Sequence, residues 1–184
     1  MTYPMNIAGL DRELPLCRLT DDLMIGAFVI FGDVELTVAC ARALLEKAPE
    51  FDYMVAPEAK AIPLIYEMAR QSGRNDYFLV RKKKKAYMDG VFEVDVHSIT
   101  TEGTQKLYMD GADARKMKGK RILIIDDVIS TGESLRAVET LVEEAGGIVA
   151  GRMAILAEGE AKDRKDIIYL EPLPLFNGDG TPKE

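Results

Sequence analysis

Leu123-Ile124-Ile125-Asp126-Asp127-Val128-Ile129-Ser130-Thr131-Gly132-Glu133-Ser134-Leu135 is the stretch that decides the fold of this chain. An apolar run ends in two adjacent carboxylates. A short turn rich in hydroxyls and glycine follows, and then a helical pattern. That order describes a buried strand delivering two acids and a phosphate-sized loop to one edge of a sheet. A helix beginning at Glu133 aims its unpaired N–H groups and the positive end of its dipole at the loop, which makes an anion site. Ser130, Thr131 and Ser134 add hydroxyl donors, and Gly132 lets the backbone approach an anion closely. Asp126 and Asp127 stand too near such a phosphate to be its ligands. They suit the vicinal hydroxyls of a ribose, or a hydrated magnesium ion, beside it. An ordinary strand-to-helix turn needs one acid as its cap, and a second at the end of a buried strand is costly without a partner.

Outward from that stretch, strand-like and helix-like patterns alternate, which predicts an α/β fold with a mostly parallel sheet covered on both faces. Residues 34–47 carry Leu36, Ala39, Cys40, Ala43 and Leu44 at helical spacing and stop before Pro49. Residues 51–56 read as a short strand, followed by Pro57-Glu58-Ala59-Lys60 and a helix to about Gln71. Pro63 falls in the first turn of that helix, where a missing N–H costs little. Strands are predicted at 76–81, 121–125, 148–157 and 167–170, and a helix at 133–145 with Gly146-Gly147 as its stop. A Pro- and Gly-rich tail begins at Pro172. Between Lys85 and Asp110 the rhythm breaks into apolar–polar alternation (Tyr87, Val91, Phe92, Val94, Val96, Ile99), as in a two-stranded ribbon with a mobile tip at Thr100, Thr101, Gly103 and Thr104. An insertion at the ligand edge of a sheet serves as a lid or binding loop. The first thirty residues fit poorly into the sheet.

Length and composition set bounds. The 184 residues, 47% hydrophobic, suit one domain with a proper core. A net charge of −7 argues against general nucleic-acid or anionic-membrane binding. No secretory leader is visible in Met1–Leu10, and no apolar stretch is long enough to span a bilayer. Cys17 and Cys40 lack CxxC spacing and a histidine cluster, so they read as reduced, mostly buried thiols of a cytoplasmic protein. A triphosphatase P-loop, a GxGxxG after a strand and a GxSxG elbow are all absent from the sequence.

Two further segments carry anion-suited residues at strand ends. Glu58-Ala59-Lys60-Ala61 follows the strand at 51–56 and opens a helix. Arg81, with Lys82 and Lys83, follows the strand at 76–81, where its charge suits a diphosphate or its magnesium complex. The plainer reading of residues 81–85 is a solvated basic edge that discourages strand-to-strand aggregation. His97, the only histidine, is read as a ribbon side chain in preference to a catalytic base.

Residues 123–134 resemble the phosphoribosyl-diphosphate (PRPP) binding signature of the type I phosphoribosyltransferases: an apolar run, two acids, two apolar residues and a small-residue phosphate loop. Across 34–156 the order of elements is similar to the adenine branch of that family. Val96–Thr100 and Arg81–Lys84 are more like the 6-oxopurine branch, especially its xanthine enzymes. The resemblance implies a single type I phosphoribosyltransferase domain over 1–184. Its parts would be an N-terminal hood (1–32), a core (33–171), a flexible β-ribbon lid (86–109) and a tail (172–184). It places the 5′-phosphate of PRPP on Ser130, Thr131, Gly132, Glu133 and Ser134. Pyrophosphate goes to Glu58, Ala59, Lys60, Arg81 and Lys83, and the base to Leu16, Cys17 and Arg18, partly through main-chain groups. The family usually has glycine where Ala61 stands. Asp126, Asp127 and Glu102 are the implied catalytic residues, Glu102 standing near the Glu-Tyr pair of the adenine branch. Magnesium is the implied cofactor, held by Asp126 and Asp127 indirectly. The expected reaction is adenine with PRPP to AMP and pyrophosphate, in a cytoplasmic homodimer of purine salvage whose partners are PRPP and a purine base, without nucleic acid or membrane. Xanthine or hypoxanthine-guanine transfer, pyrimidine transfer, and a non-catalytic PRPP-sensing regulator stand as alternatives.

Overall fold

Residues 1–97 and 104–183 are described by the computed structural model, the side chains at 96, 97, 104 and 105 excepted. The chain opens with three strands, β1 (Thr2–Ile7), β2 (Leu10–Thr20) and β3 (Leu23–Gly26), paired antiparallel in that order. Ala8 and Gly9 join the first two with φ of 51° and 84°, the doubly left-handed geometry that suits a tight hairpin to strand twist. This small sheet stands apart from the central one, as its poor fit to the parallel pattern predicts. Its strands were not legible as strands because Pro4 and Pro15 lie inside them, and proline argues against a strand interior.

The rest alternates: α1 (Val34–Lys47), β4 (Tyr53–Pro57), α2 (Ile62–Gln71), β5 (Phe78–Val80), β6 (Phe92–His97), β7 (Thr104–Met109), α3 (Gly111–Met117), β8 (Arg121–Ile129), α4 (Glu133–Glu144), β9 (Ile148–Glu158) and β10 (Ile168–Leu173). Asp33 starts α1 by accepting from Leu36 N–H at 3.0 Å, and Arg12 of the hairpin holds the same carboxylate at 2.6 Å. Strands β6 and β7 form the antiparallel ribbon, tied to the sheet edge where Arg81 and Tyr108 exchange two backbone bonds of 2.8 Å. The α3 turn, capped by Asp110 accepting from Ala112 N–H, is too short for its periodicity to be read from sequence.

The central sheet is parallel throughout, in the order β10-β9-β8-β4-β5. The first of its strands, β4, therefore lies between β5 and β8, and the winding reverses there. Loops leaving β4 and β8 diverge to opposite sides and open a crevice, the place where such sheets bind ligands. Alternate residues of β8 face opposite layers. Leu123 and Ile125 pack with Leu36, Cys40, Leu64 and Met68 of α1 and α2, while Ile122 and Ile124 pack with Val138, Leu141 and Val142 of α4. All of these are essentially inaccessible, so truncating one, such as Leu123→Ala, costs about 2–5 kcal/mol.

Strand β8 runs to Ile129, past the predicted end at 125, because β9 continues beside it and pairs Asp126 with Ala154 and Val128 with Leu156. Strand β10 likewise passes through Pro172, which an edge strand tolerates. The segment after it folds back onto the N-terminal sheet. Phe176 is fully buried, exchanges backbone bonds of 2.8 and 2.9 Å with Met24, and meets the Tyr3 ring edge-on at 5.0 Å. Among the described residues no helix is long and apolar enough to cross a membrane.

Candidate active site

Three loops converge on the crevice. The first leaves β4 as Glu58-Ala59-Lys60, with a cis peptide between Glu58 and Ala59. The second leaves β5 at Arg81 and Lys82. The third is the end of β8 and the turn into α4. Together with Leu107 of the ribbon they enclose a cavity of about 330 Å³, lined by Glu58, Ala59, Lys60, Lys82, Asp126, Asp127 and Ser134 among others. A smaller hollow of about 60 Å³ adjoins it, lined by Asp126 and the continuous run from Val128 to Leu135. Asp126 and Ser134 border both.

The alternation along β8 sends the two acids to different sides. Asp127 is 4% exposed, and its Oδ2 lies 3.0 Å from the Lys60 ammonium but out of hydrogen-bond alignment, with no other partner among the described residues. Asp126 Oδ1 accepts from Asp127 N–H at 2.8 Å. Burial, and then the neighbouring charge of Asp127, push the Asp126 carboxyl well above the usual carboxylate range. Two acids this close store repulsion that a cation or a pair of hydroxyl donors would relieve.

The small hollow has donors suited to an anion. Gly132 caps α4 at φ 80° with no side-chain cap bond, so the first-turn N–H groups of α4 remain open toward it. Ser130, Thr131, Glu133 and Ser134 complete its wall. In the β4 loop, Glu58 is bound inward: Oε2 lies 3.3 Å from Arg81 Nε and accepts from Lys82 N–H at 3.2 Å. Glu58 and Arg81 thus hold each other, whereas the Lys60 side chain is half exposed at the crevice. Lys82 borders the cavity, and Lys83 is exposed without lining it. Ala61 takes ordinary right-handed helical geometry before α2.

The expected base-binding residues are not brought to the cavity. Leu16, Cys17 and Arg18 lie on β2, where the Arg18 guanidinium donates to the carbonyls of Asp21 and Gly178 at 2.8 and 2.7 Å. Glu102 lies outside the described residues, as does the His97 side chain. One residue went unread: Glu158, the half-buried end of β9, whose carboxyl is pushed upward by burial against the pull of Lys60. Its signal was available, since like Asp126 and Asp127 it is an acid that follows an apolar run. Among the described residues no group of three or more His, Cys, Asp or Glu is placed to hold a metal ion. The paired aspartates nevertheless offer hard oxygen donors to an ion arriving with its own ligands, and Asp127 Oδ2 is the unaligned one.

A family model described as phosphoribosyl transferase domain matches residues 37–174. The hypoxanthine/guanine phosphoribosyltransferase of Methanocella paludicola is 35% identical over 114 residues, which cover 61% of this chain and 55% of that protein. The adenine phosphoribosyltransferase of Thermotoga maritima is 36% identical over 129 residues, covering 70% and 66%. The chain thus spans between half and two thirds of the length of these relatives. Among solved structures, the adenine phosphoribosyltransferase of Thermoanaerobacter pseudethanolicus superposes with a TM-score of 0.67 at 25% identity, covering 78% of this chain and 84% of that one. The fold alone is shared, at 16% identity and a TM-score of 0.66, with the Giardia lamblia enzyme complexed with 9-deazaadenine, over 94% and 93% of the two chains.

Proposed function

The chain belongs to the phosphoribosyl transferase family, and on that premise we propose that it moves the phosphoribosyl group of PRPP onto a purine ring nitrogen, releasing pyrophosphate. The observation that carries this reading is the Lys60–Asp127 pair, 3.0 Å across the crevice and beside an uncapped helix start. A phosphate, a ribose and a diphosphate need in sequence an anion cup, a pair of acids and a basic loop. In support of this reading, the hollow at Ser130–Ser134 adjoins the cavity that Asp126, Asp127, Lys60 and Lys82 line.

In the reaction the bond from C1′ to the diphosphate oxygen breaks, the purine nitrogen bonds to C1′, and the nitrogen's proton leaves. The sugar passes through a cationic, oxocarbenium-like state. Ser130, Thr131, Gly132, Glu133 and Ser134 hold the 5′-phosphate through their N–H groups and hydroxyls. Asp126 and Asp127 bind the ribose hydroxyls and lend negative field to the developing cation. Lys60, released from Asp127, turns to the diphosphate with Ala59, Lys82, Lys83 and the Glu58–Arg81 pair. Asp126 and Asp127 would hold magnesium indirectly, and when bound it would supply further positive charge to the leaving diphosphate. The ribbon, residues 86–109, closes to keep water from PRPP, and Glu102 receives the base proton.

We take adenine as the base, held by the hood at Leu16, Cys17 and Arg18 once hood and ribbon approach. The fold matches to adenine enzymes support it, while the identity to hypoxanthine/guanine enzymes favours a 6-oxopurine as the second reading. Two free thiols, Cys40 buried as expected and Cys17 exposed on β2 against that expectation, fit a reducing cytoplasm, and exposed Val29, Phe31, Val34 and Tyr66 fit a homodimer. Incubation with PRPP, magnesium and each of adenine, hypoxanthine, guanine and xanthine, followed by chromatography of the nucleotides, tests the proposal. AMP as the main product is expected. PRPP bound without any nucleotide formed would instead identify a sensor.

A further inference from the structure

Gly132 has a second reason to be glycine besides its positive φ. A Cβ there would collide with Nη1 of Arg164 and touch its Cζ at 3.6 Å. Arg164 belongs to the connection between β9 and β10, far from the cup in sequence. Its guanidinium is pinned: Nε donates to Asp166 Oδ1 at 3.0 Å and Nη2 to Asp166 Oδ2 at 2.7 Å. That bidentate fork fixes the plane of the group and leaves the Nη1 edge facing the Gly132 backbone. Behind it stands Glu139 of α4, paired with Arg152 of β9, and the Glu139 charge also acts on Arg164. Arg164 does not line the small hollow, so it approaches the loop from outside.

Resting on the phosphoribosyl reading, we propose that Arg164, clamped by Asp166, is a positioning residue for the 5′-phosphate cup. The Nη1 edge braces Gly132 in the left-handed conformation that keeps the first-turn N–H groups of α4 aimed inward. Glycine is the residue that loses most freedom on being ordered, and α4 has no side-chain cap to order it. A loop set before the ligand arrives binds more tightly than one ordered by it. The guanidinium charge, one backbone layer from the phosphate, adds attraction for a dianion that fades with salt. The diphosphate end of PRPP, held at the β4 loop, gains nothing from this brace.

Titration calorimetry of the full chain with ribose 5-phosphate, PRPP and pyrophosphate separates the two ends. Arg164→Gln is expected to weaken ribose 5-phosphate and PRPP by about tenfold at low salt, with pyrophosphate unchanged. Arg164→Lys restores part of the loss, because charge returns without the fork. The gap between wild type and Arg164→Gln narrows as salt rises. Asp166→Asn frees the guanidinium and shows the same selectivity, and carries the comparison if Arg164→Gln does not fold. Equal loss of pyrophosphate, or ribose 5-phosphate binding undiminished in both variants, would overturn the inference alone. A wild type that binds neither ribose 5-phosphate nor PRPP would overturn the phosphoribosyl reading, and this inference with it.

Discussion

Lys60, on the loop after β4, and Asp127, near the end of β8, lie on either side of the point where the sheet reverses its winding, and their charges meet at 3.0 Å while the lysine remains half exposed. The acid is buried and the cation is not, so the two partners are not equivalent. Asp127→Asn removes a buried charge and keeps the shape, and the stability change is expected within about 1 kcal/mol. Turnover should fall by about 10²–10³, the usual loss when one preorganised charge at a developing ion is removed. Lys60→Ala strands the carboxylate, and a loss of about 1 kcal/mol is expected after discounting for solvent at the lysine. The same variant should raise the Michaelis constants for PRPP and pyrophosphate. Steady-state kinetics with denaturant melts of both variants check the asymmetry, and a wild-type rate in Asp127→Asn would remove the acid from its role.

Asp126 makes stability depend on pH in a definite direction. Its carboxyl is raised above the unfolded value, so between about pH 4 and its own higher pKa the native state binds more protons than the unfolded chain. Stability therefore falls as pH rises through that window. Glu158 and Asp113, also raised by burial, contribute with the same sign. Asp52, held by Arg121, and Asp166, held by Arg164, are each lowered to about 2, and their stabilisation is lost only as pH falls from about 4 toward that value. Asp126→Asn should melt higher than wild type at pH 8, with the difference shrinking toward pH 4. Melting curves across that range test it, and a constant offset would contradict the repulsion.

What could be read in advance follows from locality. The cup and its acids lie within one strand-turn-helix unit, so residues 123–135 sufficed to place Ser130–Ser134 and the twin aspartates at a crevice. Helices α1 and α4 were legible from apolar spacing, and the ribbon from alternation. Lys82 facing the cavity in place of Lys83 depends on the exact turn after β5, which a run of lysines does not encode. The inward binding of Glu58 by Arg81 and the approach of Arg164 to Gly132 are long-range pairs with no local signature. The same holds for the tail: Pro172 suggested an end to order, but burial of Phe176 against Tyr3 and Met24 is decided by the hood's surface.

Phe176→Ala tests that closure. The side chain is fully buried between hood and tail, and truncation is expected to cost about 3 kcal/mol, at the low end for a buried aromatic because the site lies at the molecule's edge. The loss should show first as faster hydrogen exchange at Met24 and its β3 neighbours, before global unfolding. Protection unchanged in β3 would mean that the hood holds together without the tail.

The exposed apolar side chains of Val34 and Tyr66 share one groove with Pro63, and Val29 and Phe31 adjoin it in sequence. Val34 is 74% and Tyr66 56% exposed, although Val34 opens α1 and Tyr66 lies mid-way along α2, helices that otherwise bury their apolar faces. Apolar groups gathered in this way are a cost in water unless a partner covers them. A second copy placing the same face against it would bury them by two-fold symmetry. The β4 loop leads directly into α2, so such a contact would also brace Lys60 from behind. Val34→Asp puts a charge into the centre of that face and touches no residue of the crevice. It is expected to turn a dimer into a monomer in sedimentation velocity and to raise the Michaelis constant for PRPP severalfold. A wild type that sediments as a monomer at micromolar concentration, or a Val34→Asp variant that still dimerises, would place the association, if any, on another surface.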